Sequence, residues 1–436
     1  DIVVYPRGQE KHRISELHPG VDPMSYVLLF PRGAPLGWCP DLKHAVTSST
    51  PTAQRTRLTT LQFYAHQLMR REGGSILPHS AGRLFQQYCV DAYCKAEGQR
   101  LHWCRNNQDK LRTEEYQVLQ DWVASHKPSV GGDAAAPKVG RPIVLPSSFV
   151  GGARAMQMNY QDALAIVREY GKPDFFVTFT ANPVWPEITE NLAPGEHAVN
   201  RPELVARVFH LKLKALLKDL LEESVLGGVV AHCWTIEFQK RGLPHAHIVL
   251  IMRSEDKPRT PSDVDRVVSA ELPDDSDPQQ ADLFETVSGL LMHGPCGLLA
   301  PNKPCMNEQG VCSKGFPKEF AEETTLPQDQ YPVYRRRDNG RCVEKNGMVL
   351  DNRWVVPYNP YLVKKYKAHI NVHVCTSIRA VKYLYKYIHK GHDRAAVEVV
   401  VQDEVKDFID ARYVGPPESC WRLLSFEMHG KSHVVE

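Results

Sequence analysis

Two short runs hold the residues best suited to chemistry. In "IEFQKRGLPHAHIVL", His245 and His247 are separated by one residue on a segment that reads as a strand. Side chains alternate along a strand, so both imidazoles leave one face while Ala246 and Ile248 leave the other. Two parallel imidazoles on a rigid element suit a divalent cation. Glu237 and Gln239 share a face of the preceding segment, and an odd-numbered loop would set either opposite the histidines. A carboxylate is the better ligand for a hard ion such as Mg²⁺ or Mn²⁺, which favours Glu237 over Gln239 as third donor. The plainer alternative is two polar residues on a solvated face.

The second run is "AVKYLYKYIHKGHD". Val381, Leu384 and Ile388 recur at helical spacing and Gly391 ends the segment. Tyr383 and Tyr387 then stand one turn apart on one face. Tyr385 points about 200° away from Tyr383 and does not join the pair. Lys382, Lys386 and Lys390 form a neighbouring stripe suited to phosphate oxygens. An aromatic stripe packed into a core is the alternative; the adjacent lysines argue against full burial. Together the two runs would suit transesterification of a phosphodiester. A cation on His245, His247 and an acidic partner would polarise the phosphate, and a tyrosine phenolate would form a covalent 5′-phosphotyrosine link. A second tyrosine allows a second transfer, which strand exchange needs and hydrolysis does not.

A third set lies between them, in "MHGPCGLLAPNKPCMNEQGVCSKGFPK". His293, Cys296, Cys305 and Cys312 are soft ligands in a loop rich in glycine and proline, and they suit a structural zinc. The spacing is not the paired CxxC form, and free cysteines in an insertion are the alternative. Cys89 and Cys94, five apart on a predicted helix, are expected to pack inside.

The elements that must position these residues follow from periodicity. "FFVTFT" (175–180) is strongly β-prone. "RPELVARVFHLKLKALLKDLLEES" reads as a long amphipathic helix. "VVAHCWTIEFQ" and "PHAHIVLIM" read as two strands joined by a turn over Lys240–Leu243, where Gly242 supplies the bend. A helix is expected over Tyr160–Tyr170. Strand, helix and hairpin in that order predict an α+β fold with a largely antiparallel central sheet flanked by helices. Before it, Thr59 to His126 reads as helical, with Leu61, Tyr64 and Leu68 at helical intervals and a Gly-Gly stop. The stretch to Trp38 is expected to be irregular or short-stranded. Residues 127–146 have the composition of a linker, and Arg253–Pro278 is an acidic, proline-rich break.

The chain has 436 residues, enough for two or three domains. With 42% hydrophobic and 24% charged residues it has an ordinary globular composition. No apolar run reaches 18 residues, so no membrane partner is expected. The first residues show no signal-peptide pattern. Net charge is only +2, so any nucleic-acid surface must come from local clustering. One such cluster is expected in the helical region, where Arg70, Arg71, Arg100, Arg105, Lys110 and Arg112 alternate with Tyr88, Tyr93, Trp103 and Tyr116. Cations there would meet phosphates and rings would stack on unpaired bases. A packing domain with a solvated basic face is the alternative. Eleven cysteines, an odd and sparse number, point to a reducing compartment.

The motifs also resemble a known family. "DPMSYVLLFPRGAPLGW", "GRLFQQYCVDAY", "YGKPDFFVTFTANPVWPEI", "IEFQKRGLPHAH", "LDNRWVVPYNPYL" and "INVHVCTSIRAVKYLYKYIHKGHD" resemble the Helitron transposases, in family order along nearly the whole chain. The resemblance implies a rolling-circle transposase nuclease of the HUH type acting on single-stranded transposon ends. In the family the His-x-His pair, here His245 and His247, binds metal, and two tyrosines four apart, here Tyr383 and Tyr387, are nucleophiles. The run resembling "FVTFT", with Thr178 and Thr180, supports DNA. One departure is His373, where family members often carry an acid. The implied domains are a helical, DNA-binding 1–135, an HUH nuclease at 146–395 with a Cys/His insertion near 255–355, and a connection at 396–436. A helicase is expected in cis in the family. This sequence has no G-x-x-x-x-G-K-[S/T] run, and "HGKS" ending at Ser432 lacks the upstream glycine, so no ATPase activity is expected of these residues. An intracellular, nuclear location is implied by the resemblance. Rival readings are a conjugative relaxase or plasmid replication initiator with the same chemistry, a non-catalytic single-stranded DNA-binding module, and a small-molecule metal hydrolase.

Overall fold

A computed structural model describes residues 2–4, 7–8, 10–33, 36–44, 57–71, 77–111, 143–238, 242–297, 300–327, 331–376, 404–410 and 413–435. The chain forms two compact units, each assembled from separate stretches: 1–159, 193–203 and 390–426 in the first, 160–192, 204–389 and 427–436 in the second.

The first unit is built on the long helix Arg83–Asn106. Its apolar stripe, Phe85, Cys89, Ala92 and Ala96, is buried at the spacing of one helical face. Tyr88 meets Tyr26 at 5.3 Å and Phe30 at 5.5 Å between ring centroids, both edge-on. The helix Thr60–Gln67 begins with a reciprocal cap, Thr59 accepting from the Gln62 amide and Gln62 reaching back to Thr59. Buried Asp22 accepts from the Tyr64 hydroxyl at 2.9 Å and pairs with Lys95. The opening stretch, expected to be irregular or short-stranded, forms two short paired strands, β1 (Ile2–Val4) and β2 (His12–Ile14), and a short helix Val21–Ser25.

Two expectations are corrected in this unit. Tyr88 and Tyr93 are 3% and 5% exposed, so neither is a stacking platform for bases. Aromatic rings one or two turns apart on an amphipathic helix land in the core when that face is the packed one. Cys94 is exposed while Cys89 is buried. Five residues turn a helix by about 500°, which sets the second thiol roughly 140° around from the first. Trp103 is 50% exposed and Arg105 is exposed. Tyr116 and Arg112 lie outside the described residues.

The second unit is mixed α/β around a five-stranded antiparallel sheet, of strand order β8-β3-β5-β4-β9. β3 is Phe175–Thr180, β4 Val229–Phe238, β5 Pro244–Met252, β8 Ile370–Val374 and β9 His429–Lys431. Strands β6 (Cys342–Lys345) and β7 (Met348–Asp351) form a separate hairpin. β5 is central and every residue of it is buried. One sheet face carries Val177 and Phe179 of β3; Phe179 stacks on Phe209 of the helix Pro202–Leu221 at 5.0 Å. Within this unit that helix buries Val205, Phe209, Leu213, Leu216 and Leu220, a 3.6-residue repeat. On the opposite face, Ala163 packs against Cys233 and Val249, and Ile166 against Ala231 and Ile251. Those two residues belong to the helix Ala153–Tyr170, which starts seven residues before the expected Tyr160. The acidic break contains a 3-10 turn, Ser254–Asp256, and an α-helix, Pro261–Val267, with a reciprocal cap between Thr260 and Asp263.

Asp174 ties the ends of three strands together. Its carboxylate accepts from the Met252 amide at 2.8 Å and pairs with Lys257, and its carbonyl accepts from the Cys375 amide. "HGK" is edge strand β9 rather than a phosphate loop. Gly430 lies so close under Trp234 that a Cβ would stand 2.5 Å from the indole nitrogen, so only glycine fits.

Candidate functional site

The histidine face of the sheet is assembled by register. Directly opposed residues of antiparallel strands share a face. His245 is paired with Thr180 of β3 and Glu237 of β4, and His247 with Thr178 and Thr235. Beyond β3, Asn371 opposes Thr178 and His373 opposes Phe176, and beyond β4, His429 opposes Thr235. Ala163 and Ile166 cover the apolar end of this face, where Phe176, Val249 and Cys233 lie. The polar end collects imidazoles, hydroxyls and one carboxylate.

Both histidines are buried, at 8% and 7% exposure. The Thr180 hydroxyl is 2.7 Å from Nδ1 of His245, and that of Thr178 is 3.3 Å from Nδ1 of His247. A hydroxyl that accepts from Nδ1–H of His245 leaves the Nε2 lone pair of that ring for a metal. The Phe176 ring stacks on His247 at 5.7 Å and 13°, fixing the ring plane. Burial pushes His245 down to about 4, with His247 adding to the effect, Glu237 opposing it and His369 reinforcing it. The ring is therefore neutral at pH 7. Glu237 Oε2 lies 2.9 Å from Nε2 of His247.

These donors suit a hard divalent cation. Two ligands ~2.1 Å from an octahedral ion and at right angles to each other stand about 3 Å apart, which matches the Glu237 to His247 separation of 2.9 Å. Gln239 lies outside the described residues. Tyr383 and Tyr387, the excluded Tyr385, and Lys382, Lys386 and Lys390 lie outside them as well.

Three residues of the face carried no expectation. His369 precedes β8 and Asn371 is its second residue, and each has a buried side-chain atom, Nδ1 and Oδ1 respectively, without a hydrogen-bond partner among the described residues. His429 arrives from the far end of the chain. The signal for the first two is the alternation His369, Asn371, His373 against Ile370, Val372, Val374 in "HINVHV". His429 has no comparable local signal. His373 sits beside the Tyr334 ring, and burial, with Lys318, Arg336 and Lys314 nearby, pushes it down to about 4.

The structure also brings His293, Cys296, Cys305 and Cys312 together, with their four ligand atoms all within 4.8 Å of one another. Cys296 and Cys312 are buried and the other two are half-buried.

A mixed α/β unit whose antiparallel sheet presents two buried histidines beside a carboxylate is thus the class of structure present. Residues 63–250, which include both histidines, match the family described as Helitron helicase-like domain at N-terminus. No curated relative matches the chain. Among the described residues no helix is long and apolar enough to cross a membrane.

Proposed function

We infer that this chain is the nuclease part of a rolling-circle DNA transposase of the HUH type, acting on single-stranded transposon ends. The observation that carries the reading is the His245, His247 and Glu237 group on adjacent strands within the family-matched span. His245, His247 and Glu237 would hold Mg²⁺ or Mn²⁺, with Gln239 the alternative third donor. When bound, that cation supplies Lewis-acid polarisation of a phosphoryl oxygen.

The chain's own residues do the rest. Thr178 and Thr180 orient the two imidazoles through Nδ1. The phenol of Tyr383 or Tyr387 loses its proton and its oxygen bonds to phosphorus. The bond from phosphorus to the 3′ oxygen breaks, that oxygen takes up a proton, and a 5′-phosphotyrosine link remains. Lys386 next to the pair favours the phenolate electrostatically. The second tyrosine carries the second strand through the same exchange, so no phosphoester energy is lost to water.

The test is incubation of the chain with a single-stranded oligonucleotide and Mn²⁺, followed by denaturing electrophoresis and peptide mapping. A denaturation-resistant adduct on Tyr383 or Tyr387 is expected. Tyr383→Phe with Tyr387→Phe should give none, while Tyr385→Phe should still cleave. Binding without any adduct would make the chain a DNA-binding module, and an adduct on Tyr385 would overturn the assignment of nucleophiles.

A further inference from the structure

We propose that His293, Cys296, Cys305 and Cys312 form a closed, tetrahedral zinc site that organises the long loop between Leu290 and Cys342. This does not depend on the nuclease reading.

The described residues from Leu291 to Arg341 form no helix or strand beyond isolated bridges. Irregular segments of more than ~12–15 residues are uncommon in compact domains unless something fastens them. Here two tight turns deliver the ligands in pairs. The first runs from His293 to Cys296. The His293 amide donates to the Trp354 carbonyl at 2.8 Å, and Gly294 turns with φ +109° while a Cβ there would meet the Trp354 ring at 2.8 Å. The second is a small hairpin. Met306 bridges Cys312, the Ser313 amide donates to the Cys305 carbonyl, and Asn307 Oδ1 accepts from the amides of Gln309 and Val311. The two turns bring three sulfurs and one imidazole nitrogen to a common point.

The chemistry of the donors identifies the ion. Zinc–sulfur bonds of ~2.3 Å and zinc–nitrogen bonds of ~2.0 Å in a tetrahedron put neighbouring ligand atoms roughly 3.5–3.8 Å apart. The group's 4.8 Å limit spans that range, and Cys312 Sγ already lies 3.3 Å from His293 Nε2. The His293 ring is clamped by stacking on Phe316 at 4.2 Å and 19°. Three thiols packed merely as small hydrophobes would not need an imidazole aimed at a sulfur. With four protein ligands the site leaves no position for substrate, so its role is structural.

The full chain, purified without chelator, should carry about one zinc by elemental analysis, as four protein ligands require. The ion should survive dialysis that removes Mg²⁺. Co²⁺ in its place should give the thiolate charge-transfer and strong visible bands of a tetrahedral site. Three of the eleven thiols should stay unreactive until zinc is extracted. Cys312→Ser should lose most of the zinc. Loss of a ligand can also unfold the loop, so His293→Cys serves as the second variant: it keeps four soft donors and should retain zinc. His245→Ala should hold as much zinc as the parent chain. A folded chain that contains no zinc and takes up no Co²⁺ would overturn the proposal. So would a disulfide within the group, or undiminished zinc in Cys312→Ser.

Discussion

His245 and His247 stand on a strand hydrogen-bonded along both edges, whereas His293, Cys296, Cys305 and Cys312 stand on a loop joined only by isolated bridges. The contrast extends to the donors. The sheet group offers nitrogen and carboxylate oxygen, with threonine hydroxyls and a phenyl ring holding the imidazoles in place. The loop group offers three sulfurs and one nitrogen. A sheet positions its donors whether or not an ion is bound, which suits an exchangeable hard cation and an open coordination position. A loop of this length would be organised by a bound ion, and binding free energy there would be folding free energy. The lesson is that two histidine-containing groups in one unit need opposite tests: activity for the first, stability and metal content for the second.

The largest effect is expected at the sheet. His245→Ala and His247→Ala should each abolish adduct formation while leaving the fold and the zinc content unchanged. The loss should exceed the ~10–100-fold typical of outer-shell changes. Cleavage by either variant at the parent rate would remove the sheet group from the mechanism. The reciprocal change is at the loop. Cys312→Ser should lower the thermal midpoint by at least ~5 °C, since each kcal/mol is worth roughly 2–4 °C at comparable size. An unchanged midpoint would erase the contrast between the two groups.

Smaller changes sharpen the ligand set. Glu237→Ala should weaken Mn²⁺-dependent cleavage more than Gln239→Ala; the reverse order would make the amide the third donor. Thr180→Val keeps the shape but loses the oxygen 2.7 Å from Nδ1 of His245. A drop of ~10–100-fold in apparent Mn²⁺ affinity is expected, with recovery in Thr180→Ser. No shift in the Mn²⁺ titration would mean that the hydroxyl does not orient the ring.

The smallest effect is on acid stability of the chain freed of divalent cations. His245 and His373 are both pushed down to about 4 in the folded chain, against about 6.5 when unfolded. Above pH ~6.5 both states are neutral there and the two groups contribute no pH dependence. As pH falls toward 4 the unfolded chain takes up protons first, so stability declines through that window. Urea midpoints at pH 7 and pH 5 measure it, and His245→Gln should flatten part of the slope. A midpoint that rises on acidification would contradict neutral, buried rings.

Local pattern carried a large part of this. The period-two alternation of "PHAHIVLIM" and the helical repeat after Pro202 are properties of neighbouring residues, and the hairpin, the long helix and the shared face of His245 and His247 follow from them. The donor chemistry of the cysteine loop was readable for the same reason, since residue type alone separates soft ligands from hard. What alternation cannot specify is which strand lies beside which. β8 reaches β3 across nearly the whole length of the second unit, and β9 closes the edge from residues 429–431. Tertiary pairing therefore decided that Thr178 and Thr180 face the imidazoles, that Glu237 rather than a more distant acid stands beside His247, and that His369, Asn371 and His429 join the same face. It also decided burial: Tyr88 and Tyr93 look like contact residues in a basic, aromatic helix, but the packed side of that helix claims them. Side-chain direction along one element is set by backbone geometry, whereas its neighbours are set by contacts between residues far apart in the chain, and no single segment encodes those.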